Sequence, residues 1–248
     1  MKSLIPHFFT LGNMLLGILA ILAFVGYEYE IGIVYLAGAM LLDFFDGFVA
    51  RALGVSGELG KQLDSLADAV SFGVAPSIAL FSLMNFASTD LRYDEAFDHG
   101  LICVATPWWM YAPLLIALFS AFRLAKFNID TRQSDSFIGL PTPANAMLIL
   151  GLVYGIATEK LQVPYTSLKW GMFVLVALSC YLLVAELPLL ALKFKHFKWK
   201  GNEPRFILII SSIGIIAGFG ILGLSIVVLL YLFISIIDNR IHRHEVSR

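Results

Sequence analysis

The sequence predicts an all-α integral membrane protein of about eight transmembrane helices, and three observations carry that prediction. Of the 248 residues, 59% are apolar and only 14% are charged, against about a quarter charged in an ordinary soluble domain. The mean hydropathy is +0.83, and the apolar residues fall in repeated blocks of the length that crosses a bilayer, about 20 residues each. Basic residues, finally, alternate between the connections of those blocks in the way a fixed membrane orientation requires.

The blocks occupy roughly 5–26, 31–53, 63–86, 105–125, 140–158, 169–193, 204–220 and 222–239. The first reads as a retained helix and not as a cleaved leader, because no small-x-small site follows it and further membrane segments do. The last two share one apolar stretch from Phe206 to Ile237. As a single helix that stretch would run about 48 Å, well beyond the ~30 Å hydrocarbon core. Gly218, Gly220 and Gly223 offer a place to turn, so a hairpin is expected there, with one long tilted helix as the alternative. The longest connection, about 87–104, is too short to fold alone, and no repeat or low-complexity tract interrupts the chain. A single membrane-embedded domain over 1–248 is expected, with the hairpin at about 204–239 peripheral to it.

Charge placement gives the orientation. With both termini in the cytoplasm, fourteen of the 17 basic residues fall on the inner side and only Arg92, Lys160 and Lys169 on the outer. The outer turn Tyr27-Glu28-Tyr29-Glu30 and the loop carrying Asp90, Asp94, Glu95 and Asp98 are acidic. A net charge of −1 and the lack of a long basic run point away from nucleic acid. Cys103 and Cys180, the only cysteines, have neither a disulfide framework nor metal-ligand spacing, and read as small core residues.

Four aspartates break the apolar pattern. Asp43 and Asp46, at i and i+3, share one face of the second segment. Asp64 and Asp68, at i and i+4, share one face where the third begins. The two segments run antiparallel around a glycine-punctuated turn (Gly54, Gly57, Gly60). At 1.5 Å rise per residue, Asp43 and Asp68 should meet at one level, with Asp46 and Asp64 nearer the water. Like charges at reduced dielectric need compensation, and each embedded carboxylate costs about 2.5–3.5 kcal/mol on insertion scales. Arg51 and Lys61 are the only cations nearby in sequence, which leaves two charges over. All-oxygen ligands suit Mg²⁺, Mn²⁺ or Ca²⁺ better than zinc, so a metal site is the expectation. Interfacial snorkelling or capping is the plain alternative. An ion or proton pathway is another, although such sites favour the midplane over one face.

The run Asp43-Phe44-Phe45-Asp46-Gly47-Phe48-Val49-Ala50-Arg51, followed after eight residues by Gly60-Lys61-Gln62-Leu63-Asp64-Ser65-Leu66-Ala67-Asp68, resembles the signature of the CDP-alcohol phosphatidyltransferase family. That signature is D-x-x-D-G-x-x-A-R, a fixed gap, then G-x-x-x-D-x-x-x-D, and every specified position is filled. The resemblance implies a six-helix core over most of the chain and transfer from a CDP-linked lipid to an alcohol with release of CMP. It implies Mg²⁺ or Mn²⁺, as a pair of ions, on Asp43, Asp46, Asp64 and Asp68, with Asp68 also the general base. It implies a CDP-binding set of Thr10, Asn13, Gly47, Ala50, Arg51, Gly60 and Lys61. Without the motif, Gly47 and Ala50 would be ordinary helix-packing residues.

Shorter matches are similar to the bacterial phosphatidylserine synthase branch of that family. They are Pro6, Thr10, Asn13 and Gly17 near the N-terminus, then Ser71-Phe72-Gly73-Val74-Ala75-Pro76, Arg123-Leu124-Ala125-Lys126-Phe127-Asn128, and Phe137-Ile138-Gly139-Leu140-Pro141-Thr142-Pro143-Ala144. His7 stands where the branch has asparagine, and Asn145 where it has a small residue. The resemblance implies CDP-diacylglycerol and L-serine as substrates, membrane lipids as surroundings, a homodimer, and a cytoplasmic active site in a prokaryotic plasma membrane. Serine needs a cation for its carboxylate, and Arg123, Lys126, Asn128 and Arg132 are the candidates on the aspartate side. Each cation among them also fits a positive-inside anchor. The basic run Lys193–Lys200 reads as a lipid or topology feature, and Glu186 as a snorkelling or helix-paired acid. Glycerol 3-phosphate or an inositol phosphate as acceptor is the neighbouring alternative, which would call for extra cations.

Overall fold

The computed structural model describes residues 4–55, 57–89, 107–130, 137–190, 199 and 202–246. The first helix, α1 (Leu4–Val25), is apolar all round, yet two faces are sharply distinct. Pro6, Thr10, Asn13, Gly17, Ala20 and Phe24, spaced by threes and fours, are buried. Leu4, Phe8, Leu11, Leu15 and Leu22, on the other side, are exposed. Apolar side chains facing outward and polar ones facing inward invert the soluble arrangement, as lipid surroundings require.

The chain reverses at Tyr27 and descends as α2 (Tyr29–Leu53), which lies along α1. A short turn leads into α3 (Glu58–Asp68), which continues without a break through a π-helical turn, Ala69–Val74, into α4 (Ala75–Thr89). The π turn falls immediately after Asp68 and is locked from two sides. Ser71 donates its hydroxyl to the Asn13 carbonyl of α1 at 3.0 Å, and a methyl group on Gly17 would collide with Ser71, so only glycine admits this approach. Gly73 lies against Ser120 of α5 (Leu114–Ile129). The wide turn changes the helical phase. The aspartates of α3 thereby look toward α2, while Ala75, Ala79, Leu80 and Leu83 of α4 enter the common core.

A 3₁₀ turn, Trp108–Tyr111, precedes α5, which is followed by α6 (Thr142–Ala157) and α7 (Tyr165–Val184). A two-residue antiparallel ladder, β1 (Phe137–Ile138) with β2 (Pro188–Leu189), pins the connection before α6 to the segment after α7. The sixth expected segment, 169–193, is therefore shifted: helix begins at Tyr165 behind Pro164 and ends at Val184. Ala185 turns to extended backbone, because Pro188 and the ladder it starts are incompatible with further helix.

The apolar stretch after residue 203 is a hairpin of α8 (Glu203–Phe219) and α9 (Gly223–Val246). Gly220 sits at φ +58°, ψ −135°, a backbone conformation open essentially to glycine alone. Gly223 comes so close to Ile215 that a methyl group on it would lie 2.9 Å from that carbonyl oxygen, which a straight helix cannot bring about. Ser225 of α9 donates to the Leu148 carbonyl of α6 at 2.6 Å. Six stretches of the described residues are long and apolar enough to cross a membrane, one of which holds both arms of the hairpin; α6 is shorter. At 16 residues it runs about 24 Å, less than the hydrocarbon thickness.

The two ends of the bundle differ. One end carries aromatic and cationic pairs: Lys169 over the ring of Trp109 at 4.2 Å and Lys160 over Tyr154 at 4.7 Å. At that end Tyr29 and Ser82 share a hydrogen bond of 3.2 Å between α2 and α4. The other end carries the aspartates.

Candidate active site

Because α3 begins at Glu58, only a few residues after α2 ends at Leu53, the carboxylates of both are delivered to one level. Asp43, Asp64 and Asp68 each place an oxygen within 4.8 Å of the others. Asp43 and Asp68 face one another as the spacing requires. Asp64 joins them, so the expected two-tier arrangement is tighter than antiparallel depth alone implies. Asp46 departs from the expectation that it lies nearer the water: it is only 7% exposed. Thr10 of α1 faces it, and its Oδ2 has no partner in the protein. The cover provided by α1 is the physical reason.

Asp68 has a second neighbour. Asn13, wholly buried on α1, donates its amide to Asp68 Oδ1 at 3.4 Å. Its own position is held by the Ser71 hydroxyl on its carbonyl. Asn13, expected from the resemblance among CDP contacts, thus touches the carboxylate expected to take the proton. Thr10 donates to the Pro6 carbonyl at 3.1 Å, within its own helix.

The donor set fits a hard divalent cation. Three half-buried carboxylates converge, a fourth beside them has an unpartnered buried oxygen, and all the ligand atoms are oxygens. Repulsion among carboxylates this close is severe in a partly dehydrated site, and a bound cation relieves it.

The basic residues sort into different duties. Arg51 folds over Gly47, its guanidinium nitrogens 3.8 and 3.9 Å from where a methyl group on Gly47 would stand. Ala50, between them on α2, is half-buried. Gly60 lies beside His7, whose Nε2 would be 3.4 Å from a methyl group there. Lys61 donates to the Asn128 carbonyl at 2.6 Å, and the Asn128 amide donates to Ser65 at 2.8 Å, so α3 is latched to the end of α5. Lys126 pairs with Glu186 at 3.0 Å, across to the segment after α7, which gives that acid its partner. Arg132 and the lysines of the run Lys193–Lys200 lie outside the described residues.

Among the described acceptor candidates, Arg123 alone is buried, at 8% exposure. It donates to the Thr142 hydroxyl of α6 at 3.3 Å, its Nε is unpartnered, and it lies within the electrostatic reach of Asp68. Sequence distance hid that neighbour, since Arg51 and Lys61 were the only cations in view near the aspartates. Ser120 escaped the sequence reading, and Asn145 entered it only as a departure from the branch pattern; both are fully buried with unpartnered polar atoms. Their signal was available: a polar residue one turn from another polar residue, Ser120 before Arg123 and Asn145 after Thr142, inside otherwise apolar helices.

An acidic cluster on facing helix surfaces, spaced as in the signature, coincides with a match between residues 3–192 and the family described as CDP-alcohol phosphatidyltransferase. The chain belongs to that family. Its membership places the reaction in the class of CDP-linked phosphotransfer by a membrane transferase. The chain is 30% identical over 199 residues to the CDP-diacylglycerol–serine O-phosphatidyltransferase of Bacillus subtilis, which covers 80% of this chain and 94% of that one. It is 31% identical over 237 residues to the Helicobacter pylori protein of the same name, covering 94% and 90%. It is also 33% identical over 148 residues to the archaetidylserine synthase of Methanothermobacter thermautotrophicus, covering 58% and 55%. The phosphatidyltransferase match ends before α8, so the family model covers α1 to α7 and the terminal hairpin lies beyond it.

Proposed function

We propose that this phosphatidyltransferase moves the phosphatidyl group of CDP-diacylglycerol to the hydroxyl of L-serine, giving phosphatidylserine and CMP. The observation that carries the reading is the position of Asp68. It shares one level with Asp43 and Asp64, and a buried arginine, Arg123, stands within its electrostatic reach from α5. The relatives named for serine transfer support the choice of acceptor.

In this reading Asp43, Asp46 and Asp64, with Asp68 sharing, would hold two Mg²⁺ or Mn²⁺ ions. Bound there, such ions would supply charge neutralisation for the diphosphate and the reacting phosphoryl group. The nucleotide lies over the cytoplasmic end of α2 and α3, where Gly47, Ala50 and Gly60 leave room and Arg51 faces a phosphate. Asp68 accepts the proton of the serine hydroxyl. The serine oxygen forms its bond to the phosphatidyl phosphorus as the bond from that phosphorus to the CMP oxygen breaks, and CMP leaves with the electron pair. Asn13 holds the Asp68 carboxylate in orientation, while Arg123 supplies the charge that receives the serine carboxylate. The basic residues on the aspartate side support a cytoplasmic active site in a prokaryotic plasma membrane.

Purified protein in detergent, given CDP-diacylglycerol and a panel of alcohols with and without Mg²⁺ or Mn²⁺, tests this directly. Metal-dependent CMP release with L-serine, accompanied by phosphatidylserine, is expected. Release with glycerol 3-phosphate or an inositol phosphate in place of serine would overturn the acceptor assignment, and release without metal would overturn the role of the aspartates.

A further inference from the structure

A second polar cluster lies behind Asp68, on helices outside the aspartate signature. It is built from two i, i+3 pairs on facing helices: Ser120 and Arg123 on α5, Thr142 and Asn145 on α6. Arg123 and Thr142 are joined by a hydrogen bond of 3.3 Å, which fixes them at one level. The helices run antiparallel here, and three residues correspond to about 4.5 Å along each axis. Ser120 and Asn145 are therefore carried about one turn deeper, also at a common level. Ser120 in turn lies against Gly73 of the π turn that follows Asp68.

All four side chains are buried, three of them completely. Yet the Ser120 hydroxyl, the Arg123 Nε, and both the Oδ1 and Nδ2 of Asn145 have no partner in the protein. A buried amide with neither half satisfied carries a desolvation cost that native structures avoid. Simple packing does not explain it, because a small or apolar residue would fill the site on α6 without that cost. The donor and acceptor inventory is instead that of a receptor for a zwitterion. The guanidinium offers N–H groups to a carboxylate, and the amide offers one acceptor for an ammonium and one donor beside it.

We propose that Asn145 is a specificity residue of the acceptor pocket, taking the α-ammonium of the substrate on Oδ1 while Arg123 takes its carboxylate. This rests on the reading of the acceptor as an amino acid. It adds that discrimination between serine and alcohols of the same length lacking the ammonium is set on α6, opposite the helix bearing the arginine. The hydroxyl end of the substrate then points from this pocket toward Asp68.

The test compares wild type with Asn145→Ala on three acceptors, L-serine, 3-hydroxypropionate (no ammonium) and ethanolamine (no carboxylate), with the KM for CDP-diacylglycerol measured alongside. The variant should raise the KM for serine by about tenfold or more and leave the KM for CDP-diacylglycerol unchanged. It should also shrink the preference for serine over 3-hydroxypropionate by the same factor while leaving the preference for serine over ethanolamine nearly intact. An equal loss on all acceptors, or an unchanged serine KM, would overturn the proposal and leave internal water as the partner of the amide. If Asn145→Ala does not accumulate folded, Asn145→Ser keeps a hydroxyl acceptor in a smaller side chain. A partial shift in the same preference is then expected, and no shift counts against the proposal. Wild-type protein that releases CMP with another alcohol and not with serine would sink the acceptor reading itself. A wild type active on serine with an indifferent variant would sink only the role of Asn145.

Discussion

The aspartate cluster and the α5–α6 cluster are both polar sites inside one apolar bundle, and they are assembled in opposite ways. The first is local in sequence: 26 residues, from Asp43 to Asp68, supply all four carboxylates through one helical hairpin. The second draws on residues 120–145 across a connection partly outside the described residues, and each helix contributes only two polar side chains. The first is charged, half-buried and of a single sign. The second is sealed, mostly neutral, and leaves several polar atoms without protein partners. A cluster of one sign asks for metal ions and phosphates, whereas a sealed cluster with donors and acceptors mixed asks for a small zwitterion. Asp68 belongs to the first and lies within the electrostatic reach of the second, a position that suits the general-base role proposed for it.

That division can be broken most forcefully at the metal ligands. Asp64→Ala should abolish turnover, by about 10³-fold or more, and should weaken Mn²⁺ binding followed by titration calorimetry. Retention of both would dissolve the distinction at its root. Asp68→Asn should lower kcat by about 10²- to 10⁴-fold while metal-dependent binding of CDP persists. A parallel loss of CDP binding would make Asp68 merely another ligand. Asn13→Ala should cost about 10- to 100-fold in kcat, the usual effect of removing an outer hydrogen-bonding partner. Asn13→Asp would place another carboxylate beside Asp68 and should be worse than alanine; the reverse order would argue against an orienting amide. The Lys126–Glu186 pair serves as the control outside both clusters. Its side chains are 38% and 60% exposed, so a double-mutant cycle in thermal stability should give no more than about 1 kcal/mol of coupling, with serine KM unmoved. A clear rise in serine KM for Lys126→Ala would return that lysine to the acceptor site.

How much of this was legible in the residues themselves follows the same divide. Helix count and the terminal hairpin were readable because bilayer thickness limits segment length and Gly220 supplies the reversal. The facing of Asp43 and Asp68 was readable because antiparallel helices with a short turn fix relative depth. The shorter reach of α7 was not, since its end depends on a ladder between segments some fifty residues apart. Nor was the burial of Asp46, which depends on α1 lying across it, a packing choice that hydropathy does not specify. Nor was the latch between α3 and α5, in which Lys61 donates to the Asn128 backbone carbonyl and the Asn128 amide to Ser65, since only packing brings those residues together. Arg123, Thr142 and Asn145 are single polar residues in apolar helices, and only the pairing of α5 with α6 tells that they meet.

The most direct measurement is the pair of KM values, for CDP-diacylglycerol and for L-serine, in Arg123→Lys and in Asp46→Asn. Lysine keeps the charge but not the forked donor geometry. The account predicts that Arg123→Lys raises only the serine KM, by about tenfold, and that Asp46→Asn raises only the CDP-diacylglycerol KM. Equal rises for both substrates in Arg123→Lys would contradict it, because the arginine would then belong to the donor side and the two clusters would be one site.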